Sequence, residues 1–173
     1  MVGEQGSGKT AFCQALVSAV RAARPEIHVA GVMSPGLFKK GVKVAIEVEG
    51  VASGERRPLA RLRLPGEQGG EVATPRWLFD PEALAWGDEV LARAIPCGLL
   101  IVDEMGPLEF EMGRGWQAGM AAVDSESYEV AFVTMRPALV AKALERWPGA
   151  ELVWVPGREQ AVAAAEDMIQ QLR

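Results

Sequence analysis

The first segment with residues suited to chemistry is GEQGSGKT, at residues 3–10. It fits the pattern G-x-x-x-x-G-K-[ST] at every fixed position. Glycines at this spacing let the backbone curl with its N–H groups pointing inward, where side chains would otherwise block a phosphate. A helix that opens directly after the loop adds unpaired N–H groups and the positive end of its dipole. The predicted phosphate-binding residues are Gly3, Gly6, Ser7, Gly8, Lys9, Thr10 and Ala11.

Two side chains of this segment have predicted roles beyond the curl of the backbone. Lys9 is expected to reach the β- and γ-phosphates of a nucleotide, and the Thr10 hydroxyl to ligate Mg²⁺. The alternative is a glycine-rich turn that merely caps a helix. Residues 11–23 do have helical periodicity, with Phe12 and Leu16 on one apolar face. A loop followed by a helix is the context that phosphate binding requires.

A second chemical signal lies in GLLIVDEMGPLEF, residues 98–110. The apolar run 99–102 is typical of a strand that is covered on both faces in a parallel sheet. It ends in Asp103 and Glu104, and ligands of open α/β sheets bind at the carboxyl ends of the strands. We expect Asp103 to hold Mg²⁺ with Thr10, and Glu104 to orient and polarise an attacking water. Lys9 and Glu104 are thus the predicted catalytic pair.

The overall composition bounds the class of protein. The 173 residues predict one domain spanning 1–173. A net charge of −5 argues against nucleic acid held by a generally basic surface, and no apolar run approaches the 18 residues of a membrane span. Cys13 and Cys97 lie far apart in apolar surroundings, so we expect reduced thiols and no disulfide or metal pair. Because the loop begins at residue 3, we expect no signal peptide and a cytoplasmic location.

The start of the chain departs from the usual context of a phosphate loop. Such a loop follows a buried strand of about five residues, whereas only Met1 and Val2 precede Gly3. We therefore expect several apolar residues to precede Met1 in the natural protein.

Most of the remaining chain alternates short apolar runs with helical patterns, which predicts βαβ units and a mostly parallel sheet. Predicted strands are 28–33, 129–134 and 151–155, and Trp154 is expected in the core. Asp80 is the expected N-cap of a helix that runs to about residue 94. Residues 34–75 interrupt this pattern with turn residues at 34–41 and alternating segments at 42–51 and 57–64, so we predict an inserted β-hairpin.

The inserted segment is the most basic part of an acidic protein. Two interpretations stay open: a solvated hairpin face, or a lid over the phosphates or a groove for a polyanion such as nucleic acid. Its basic residues are Lys39, Lys40, Lys43, Arg56, Arg57, Arg61 and Arg63.

With these motifs in place, the chain resembles the small P-loop nucleoside-triphosphatases first described from thermophiles, a family with a human cancer-related member. The resemblance covers most of the chain and rests on GEQGSGKT, ASGERRPLAR, WLFDPEALAWGDEVL and DEMGPLEF. It implies a three-layer, RecA-like fold in which the strand carrying Thr134 lies between the phosphate-loop strand and the Asp103 strand. Thr134 or Arg136 would then approach the γ-phosphate, and Glu109 falls on the family's second acidic position. Arg114 is a further candidate for an effect on catalysis.

Three functions follow from these residues. The first is an Mg²⁺-dependent hydrolase of the γ-phosphate of ATP, GTP and other nucleoside triphosphates, with weak base selectivity because no NKxD-type motif is present. The second is a small kinase that transfers phosphate to a nucleotide or nucleic-acid hydroxyl recruited by the basic hairpin. The third is a nucleotide-switched binding module with negligible turnover.

Overall fold

A computed structural model of the chain describes residues 1–67 and 72–169. The helices are α1 (Lys9–Ala23), α2 (Pro81–Ala92), α3 (Pro107–Phe110), α4 (Gln117–Asp124), α5 (Val140–Arg146) and α6 (Arg158–Ile169), with a 3₁₀ turn at Pro137–Leu139. The strands are β1 (Val29–Met33), β2 (Gly36–Lys39), β3 (Val42–Gly50), β4 (Arg56–Leu62), β5 (Trp77–Phe79), β6 (Cys97–Val102) and β7 (Tyr128–Val133).

All seven strands belong to one sheet in the order β5-β4-β3-β1-β6-β7, with β2 paired to β3. The half that carries the predicted motifs is parallel, because β6 pairs in parallel with both β1 and β7. Beyond β7, Val2 bridges in parallel to Met135 and to Trp154. The extension of β7 therefore lies between the phosphate-loop segment and β6, as the family resemblance implies.

The inserted segment extends this sheet instead of forming a separate flap. The predicted hairpin is present as β3 and β4, and β3 pairs antiparallel with β1. Two strands were missed: β2, in the stretch expected to hold only turns, and β5, which pairs with β4. Both are short edge segments whose apolar alternation is too brief to predict a strand, so only their pairing partners define them.

Helices cover both faces of the sheet and give three layers. Along β6, Leu99 and Ile101 pack in the cluster that includes residues of α1 and α6, whereas Leu100 and Val102 pack against residues of α2 and α4. This alternation explains why the sequence of the strand is continuously apolar. Among the described residues, no helix has the length and apolar character needed to cross a membrane.

The two cysteines lie on different elements, as the sequence predicts. Cys13 is buried in α1, Cys97 is half-buried in β6, and both are free thiols. Burial raises the pKa of both thiols above the usual value. Nowhere in ranges 1–67 and 72–169 do three or more histidine, cysteine or acidic side chains cluster in a way that could hold a metal ion.

The prediction for residues 151–155 was wrong in two respects. The segment forms only the bridge of Trp154 to Val2, held by hydrogen bonds from Val2 N to Val153 O and from Val155 N to Val2 O, both 2.8 Å. Trp154 is 59% exposed, although it was expected in the core. Only Met1 and Val2 are available to pair with this segment, because the phosphate loop begins at Gly3. Successive side chains of an extended segment point to opposite faces, so Val155 is buried whereas Trp154 faces outward.

One glycine inside β1 fixes how closely this strand approaches β6. Gly31 has φ +112°, and a Cβ added there would lie 1.9 Å from the carbonyl oxygen of Ile101. Its own carbonyl accepts a hydrogen bond from Val51 N at 2.9 Å. Since the obstructing atom is backbone in the buried centre of the sheet, no side-chain rotation can relieve the contact.

We expect Gly31→Ala to destabilise the protein by about 3 kcal/mol or more, because left-handed backbone strain adds to overpacking. Urea denaturation followed by circular dichroism measures the change in free energy of unfolding. Gly41→Ala is the matched control, since Gly41 has φ +78° but its added Cβ meets nothing within 4 Å. Equal losses in the free energy of unfolding in the two variants would show that the close approach of β1 to β6 does not require a glycine at position 31.

Candidate functional site

The predicted phosphate loop curls directly into α1. The helix begins at Lys9 after Gly8, which has φ +104° and provides no side-chain cap. A Cβ on Gly8 would lie 2.7 Å from Cα of Arg158, so the loop packs against the start of α6. The uncapped N–H groups of the first helical turn are therefore available to an anion. In the described part of the chain, the Ser7 hydroxyl is one of three buried side-chain polar atoms without a hydrogen-bond partner.

Lys9 lies folded over this loop and is only 3% exposed. Its ammonium donates hydrogen bonds to the carbonyls of Gly3 at 2.8 Å and Glu4 at 3.0 Å. Burial lowers the pKa of Lys9 below its usual value, and the carboxylates of Glu104 and Asp103 oppose that shift. Lys9 thus lies within electrostatic reach of both acidic residues of the second motif.

Asp103 joins the second motif to the first. It follows β6, is fully buried, and lies near the side chain of Thr10. Its carboxylate accepts hydrogen bonds from the hydroxyl of Thr134, at 2.6 Å from Oδ1, and from the backbone N–H of Ser34, at 3.0 Å from Oδ2. Burial raises the pKa of Asp103, the nearby Glu104 raises it further, and Thr134, Ser34 and Thr10 oppose the shift.

Thr134 connects the Asp103 carboxylate to the backbone of Glu104. Its hydroxyl donates to Asp103 and accepts the backbone N–H of Glu104 at 2.8 Å. Glu104 has φ +71°, an uncommon conformation for a residue with a side chain. Its N–H is held by Thr134, and the N–H of Met105 donates to the Thr134 carbonyl at 3.0 Å. These bonds orient the turn that carries the Glu104 carboxylate.

The donor set here fits magnesium. Mg²⁺ prefers oxygen ligands and is usually bound by one or two protein groups together with substrate phosphates and water. The Thr10 hydroxyl and the Asp103 carboxylate are such oxygens, and they lie near enough for Thr10 to lower the pKa of Asp103. These two side chains would hold the ion, which would neutralise phosphate charge when bound.

A cavity of about 630 Å³ adjoins the acidic pair. It lies between the antiparallel half of the sheet and the chain that follows β6, and Glu104, Lys43 and Arg136 are among the residues that line it. Arg136 and Lys43 both add to the lowering of the Lys9 pKa. Positive side chains therefore approach Lys9 from the cavity side.

The secondary candidates from the sequence divide into two groups. Thr134 and Arg136 lie at the site. Thr134 donates a hydrogen bond to Asp103, and Arg136 lines the cavity. Glu109 is 8% exposed and accepts backbone N–H groups from Gly106 at 2.7 Å and Trp116 at 3.0 Å, so it fastens the loop after β6. Arg114 lines a smaller cavity of about 240 Å³ that Glu104 does not line.

Sequence reasoning missed two residues at this site. Ser34 is buried after β1, donates its N–H to the Asp103 carboxylate, and donates its hydroxyl to the Asp103 carbonyl at 3.1 Å. Its signal was available, because it is a polar residue directly after a buried strand, like Asp103 and Thr134. Lys43 was counted only within the basic hairpin, and nothing local distinguished it from the other basic residues there.

Most of the arginines in that hairpin are paired with carboxylates. Arg56 contacts Glu49 at 2.6 Å, and Arg57 contacts Glu55 at 2.9 Å. A third pair joins Arg61 to Glu67 at 2.6 Å, which lowers the pKa of Glu67 to about 2. This pairing supports the interpretation of a solvated hairpin face.

Comparison with known proteins identifies the family. The family model described as NTPase matches residues 1–166. This chain belongs to the NTPase family. The family that the sequence motifs resemble is thereby confirmed, and the protein is an enzyme of the nucleoside-triphosphatase class.

Two relatives show how far this NTPase resembles characterised members. The nucleoside-triphosphatase THEP1 of Pyrobaculum aerophilum is 26% identical over 168 residues, which covers 97% of this chain and 89% of the relative. The solution structure of a human cancer-related nucleoside triphosphatase matches with a TM-score of 0.68 at 19% identity. It covers 99% of this chain and 95% of the human one, and it confirms the predicted α/β P-loop fold.

Proposed function

We propose that this NTPase hydrolyses the γ-phosphate of nucleoside triphosphates in a reaction that depends on Mg²⁺. The observation that carries the proposal is that the phosphate loop and Asp103 flank the same extension of β7. Gly3 N donates to the carbonyl of Met135 at 3.3 Å, and the Thr134 hydroxyl donates to Asp103 at 2.6 Å. The loop and the acidic end of β6 therefore lie side by side, although they are far apart in the sequence.

Each side chain has a role that its position supports. Lys9 would turn from the loop carbonyls to the β- and γ-phosphates, where its charge stabilises the transferred group. Thr10 and Asp103 would hold Mg²⁺. Glu104, on the turn held by Thr134, would orient the attacking water and accept its proton.

Weak base selectivity belongs to the same proposal. The sequence has no NKxD-type guanine-binding motif, and the side chains assembled here suit phosphate and metal. Because the phosphates are common to all nucleoside triphosphates, their contacts do not discriminate among bases.

Three further predictions stay as they were made from the sequence. They are the single domain spanning 1–173, the cytoplasmic location, and nucleic-acid binding at the basic hairpin as an alternative that the acidic net charge disfavours. The carboxylate pairing of Arg56, Arg57 and Arg61 weighs against the last of these.

Phosphate release from ATP, GTP, CTP and UTP, with Mg²⁺ and with excess EDTA, tests the proposal. We expect all four to be hydrolysed with Mg²⁺ at rates within about tenfold of one another, and at least 100-fold more slowly with EDTA. Readdition of Mg²⁺ to the chelated sample is the control for irreversible damage. Equal rates with and without the metal would overturn Mg²⁺ dependence, and hydrolysis of a single nucleotide would overturn weak selectivity.

A further inference from the structure

The cavity beside Glu104 is much larger than an attacking water molecule needs. Its volume is about 630 Å³, whereas a water molecule takes up roughly 30 Å³ of liquid. Sites for small organic ligands occupy about 300–1,000 Å³. The cavity therefore has the size of a second substrate site.

The wall of the cavity has the chemistry of a site for an apolar body. Its apolar side chains come from the antiparallel half of the sheet, from α2 and from the chain after β6. They include Ile46, Leu59, Phe79, Leu84, Met105 and Leu108. Such a surface favours an aliphatic or aromatic group and disfavours a sugar-like polyol, whose hydroxyls would lose their hydrogen bonds to water.

The cavity opens towards the reacting end of the proposed nucleotide site. Glu104 and Ser34 line it, and so does Gln5 of the phosphate loop. Lys9 and Thr10 do not line it, so the cavity adjoins the phosphate-binding residues without including them. A molecule in the cavity would present its polar end to the Glu104 carboxylate.

Among the described residues, two of the three cations that line the cavity are engaged by other side chains. Lys43 and Arg76 lie over the ring of Trp77, at 5.9 Å and 5.5 Å from its centroid. Arg76 also donates to the side chain of Gln5 at 2.7 Å. The third lining cation is Arg136, and the carboxylate of Glu104 lines the same cavity. Because Glu104 would repel an anionic group placed beside it, the wall favours an uncharged occupant at this end.

We propose that this cavity binds a phosphoryl acceptor, a primary alcohol with an apolar body of ring size, and that the protein transfers the γ-phosphate to it. Simple aromatic alcohols have this chemistry, and so does a nucleoside whose base lies against the apolar side chains while its ribose hydroxyls stay at the polar end beside Glu104 and Ser34. The inference rests on the proposed function, because it uses the same nucleotide site and the same Glu104.

The transfer balances without any further reactant. The alcohol oxygen attacks the γ-phosphorus and forms a new P–O bond. The bond from that phosphorus to the β–γ bridging oxygen breaks, and its electron pair leaves with the nucleoside diphosphate. The hydroxyl proton passes to the Glu104 carboxylate and then to solvent, and water takes the place of the alcohol when the cavity is empty.

The experiment incubates the protein with γ-labelled ATP and, separately, with each of four ribonucleosides, benzyl alcohol and glucose. Labelled phosphate monoester and free phosphate are separated and counted. We expect a labelled monoester from at least one nucleoside or from benzyl alcohol, and none from glucose. Labelled monoester from nucleosides only, or from benzyl alcohol only, would identify which of these two classes of alcohol the cavity accepts. Free phosphate without any labelled monoester would overturn the inference and leave the proposed hydrolysis intact.

Cavity-filling variants test whether transfer uses this site. Ala73→Trp and Met112→Trp add bulk at two lining positions, the second of which is 51% exposed and so tolerates the change without loss of core packing. Each should lower monoester formation at least tenfold while phosphate release stays within about twofold. Ala141→Trp adds the same bulk at an exposed position of α5 and should leave both products unchanged.

Two outcomes separate the inference from the proposal on which it rests. An equal loss of hydrolysis and transfer in both cavity variants would place the nucleotide itself in the cavity and overturn the acceptor site. Absence of phosphate release from wild type without an acceptor, with monoester still formed, would contradict the proposed hydrolysis and support the acceptor site. Equilibrium dialysis of labelled adenosine without ATP gives a readout independent of turnover, and Met112→Trp should weaken that binding at least tenfold.

Discussion

Lys9→Ala is expected to lower the turnover of nucleoside triphosphates by about 10²–10³-fold, the range found when one preorganised charge-stabilising donor is removed. The ammonium lies over the loop and within electrostatic reach of Asp103 and Glu104. When a triphosphate binds, its charge would replace the loop carbonyls as partner, and that charge increases on the transferred group in the transition state. Steady-state phosphate release with Mg²⁺ measures the loss.

Loss of folding would not explain such a result. Removing Lys9 removes a buried charge whose desolvation already lowers its pKa, so the free energy of unfolding should change by no more than about 1–2 kcal/mol. Lys142→Ala is the matched control, since Lys142 is an exposed lysine that pairs with Glu111 at 2.6 Å. Turnover by Lys9→Ala within threefold of wild type would exclude Lys9 from transition-state stabilisation.

Glu104→Gln is expected to lower turnover at least 100-fold while nucleotide binding persists. The substitution keeps the size of the side chain and the backbone bond from residue 104 to Thr134. It removes the negative charge that orients water and the site that accepts its proton. Single-turnover phosphate release separates this effect from binding, and a fluorescent nucleotide measures the binding itself.

The control for this variant is a carboxylate on the same stretch of chain. Glu111 also lines the cavity but pairs with Lys142, so Glu111→Gln should retain turnover within about threefold. Near-normal hydrolysis by Glu104→Gln would remove Glu104 from the mechanism and leave the phosphate loop as the basis of binding alone.

The two variants also separate the proposed steps of the reaction. Lys9 acts on the phosphates, so its loss should weaken nucleotide binding as well as turnover. Glu104 acts on the nucleophile, so its loss should affect turnover with little change in binding. If transfer to an alcohol occurs, Glu104→Gln should slow it together with hydrolysis, because both nucleophiles give up a proton at the same carboxylate.

The sequence predicted the local parts of the site because their chemistry is local. The phosphate loop needs only a few residues of backbone geometry and the helix that follows, and α1 begins at Lys9 as the pattern requires. The apolar run before Asp103 likewise predicted a buried strand with an acidic end, and β6 has both. The N-cap of α2 at Asp80 was recognised for the same reason.

The remaining features depend on which distant segments pair. Trp154 appeared apolar enough for the core, but its segment lies at the sheet edge and bridges only Val2. Lys43 was one basic residue among seven until the pairing of β3 with β1 brought its strand to the site. Ser34 could be noticed as a polar residue after a buried strand, but only the pairing of β1 with β6 identifies Asp103 as its partner.

The amino-acid pattern alone therefore predicted a glycine-rich loop that opens a helix and a buried strand followed by two neighbouring carboxylates. The tertiary structure decided that these groups meet, that Thr134 and Ser34 hold them, and that a cavity of about 630 Å³ opens beside Glu104. The physical reason is the range of the interactions. Loop curvature and helix capping are fixed within a few residues, whereas strand order and the space between layers come from pairing across the whole sheet.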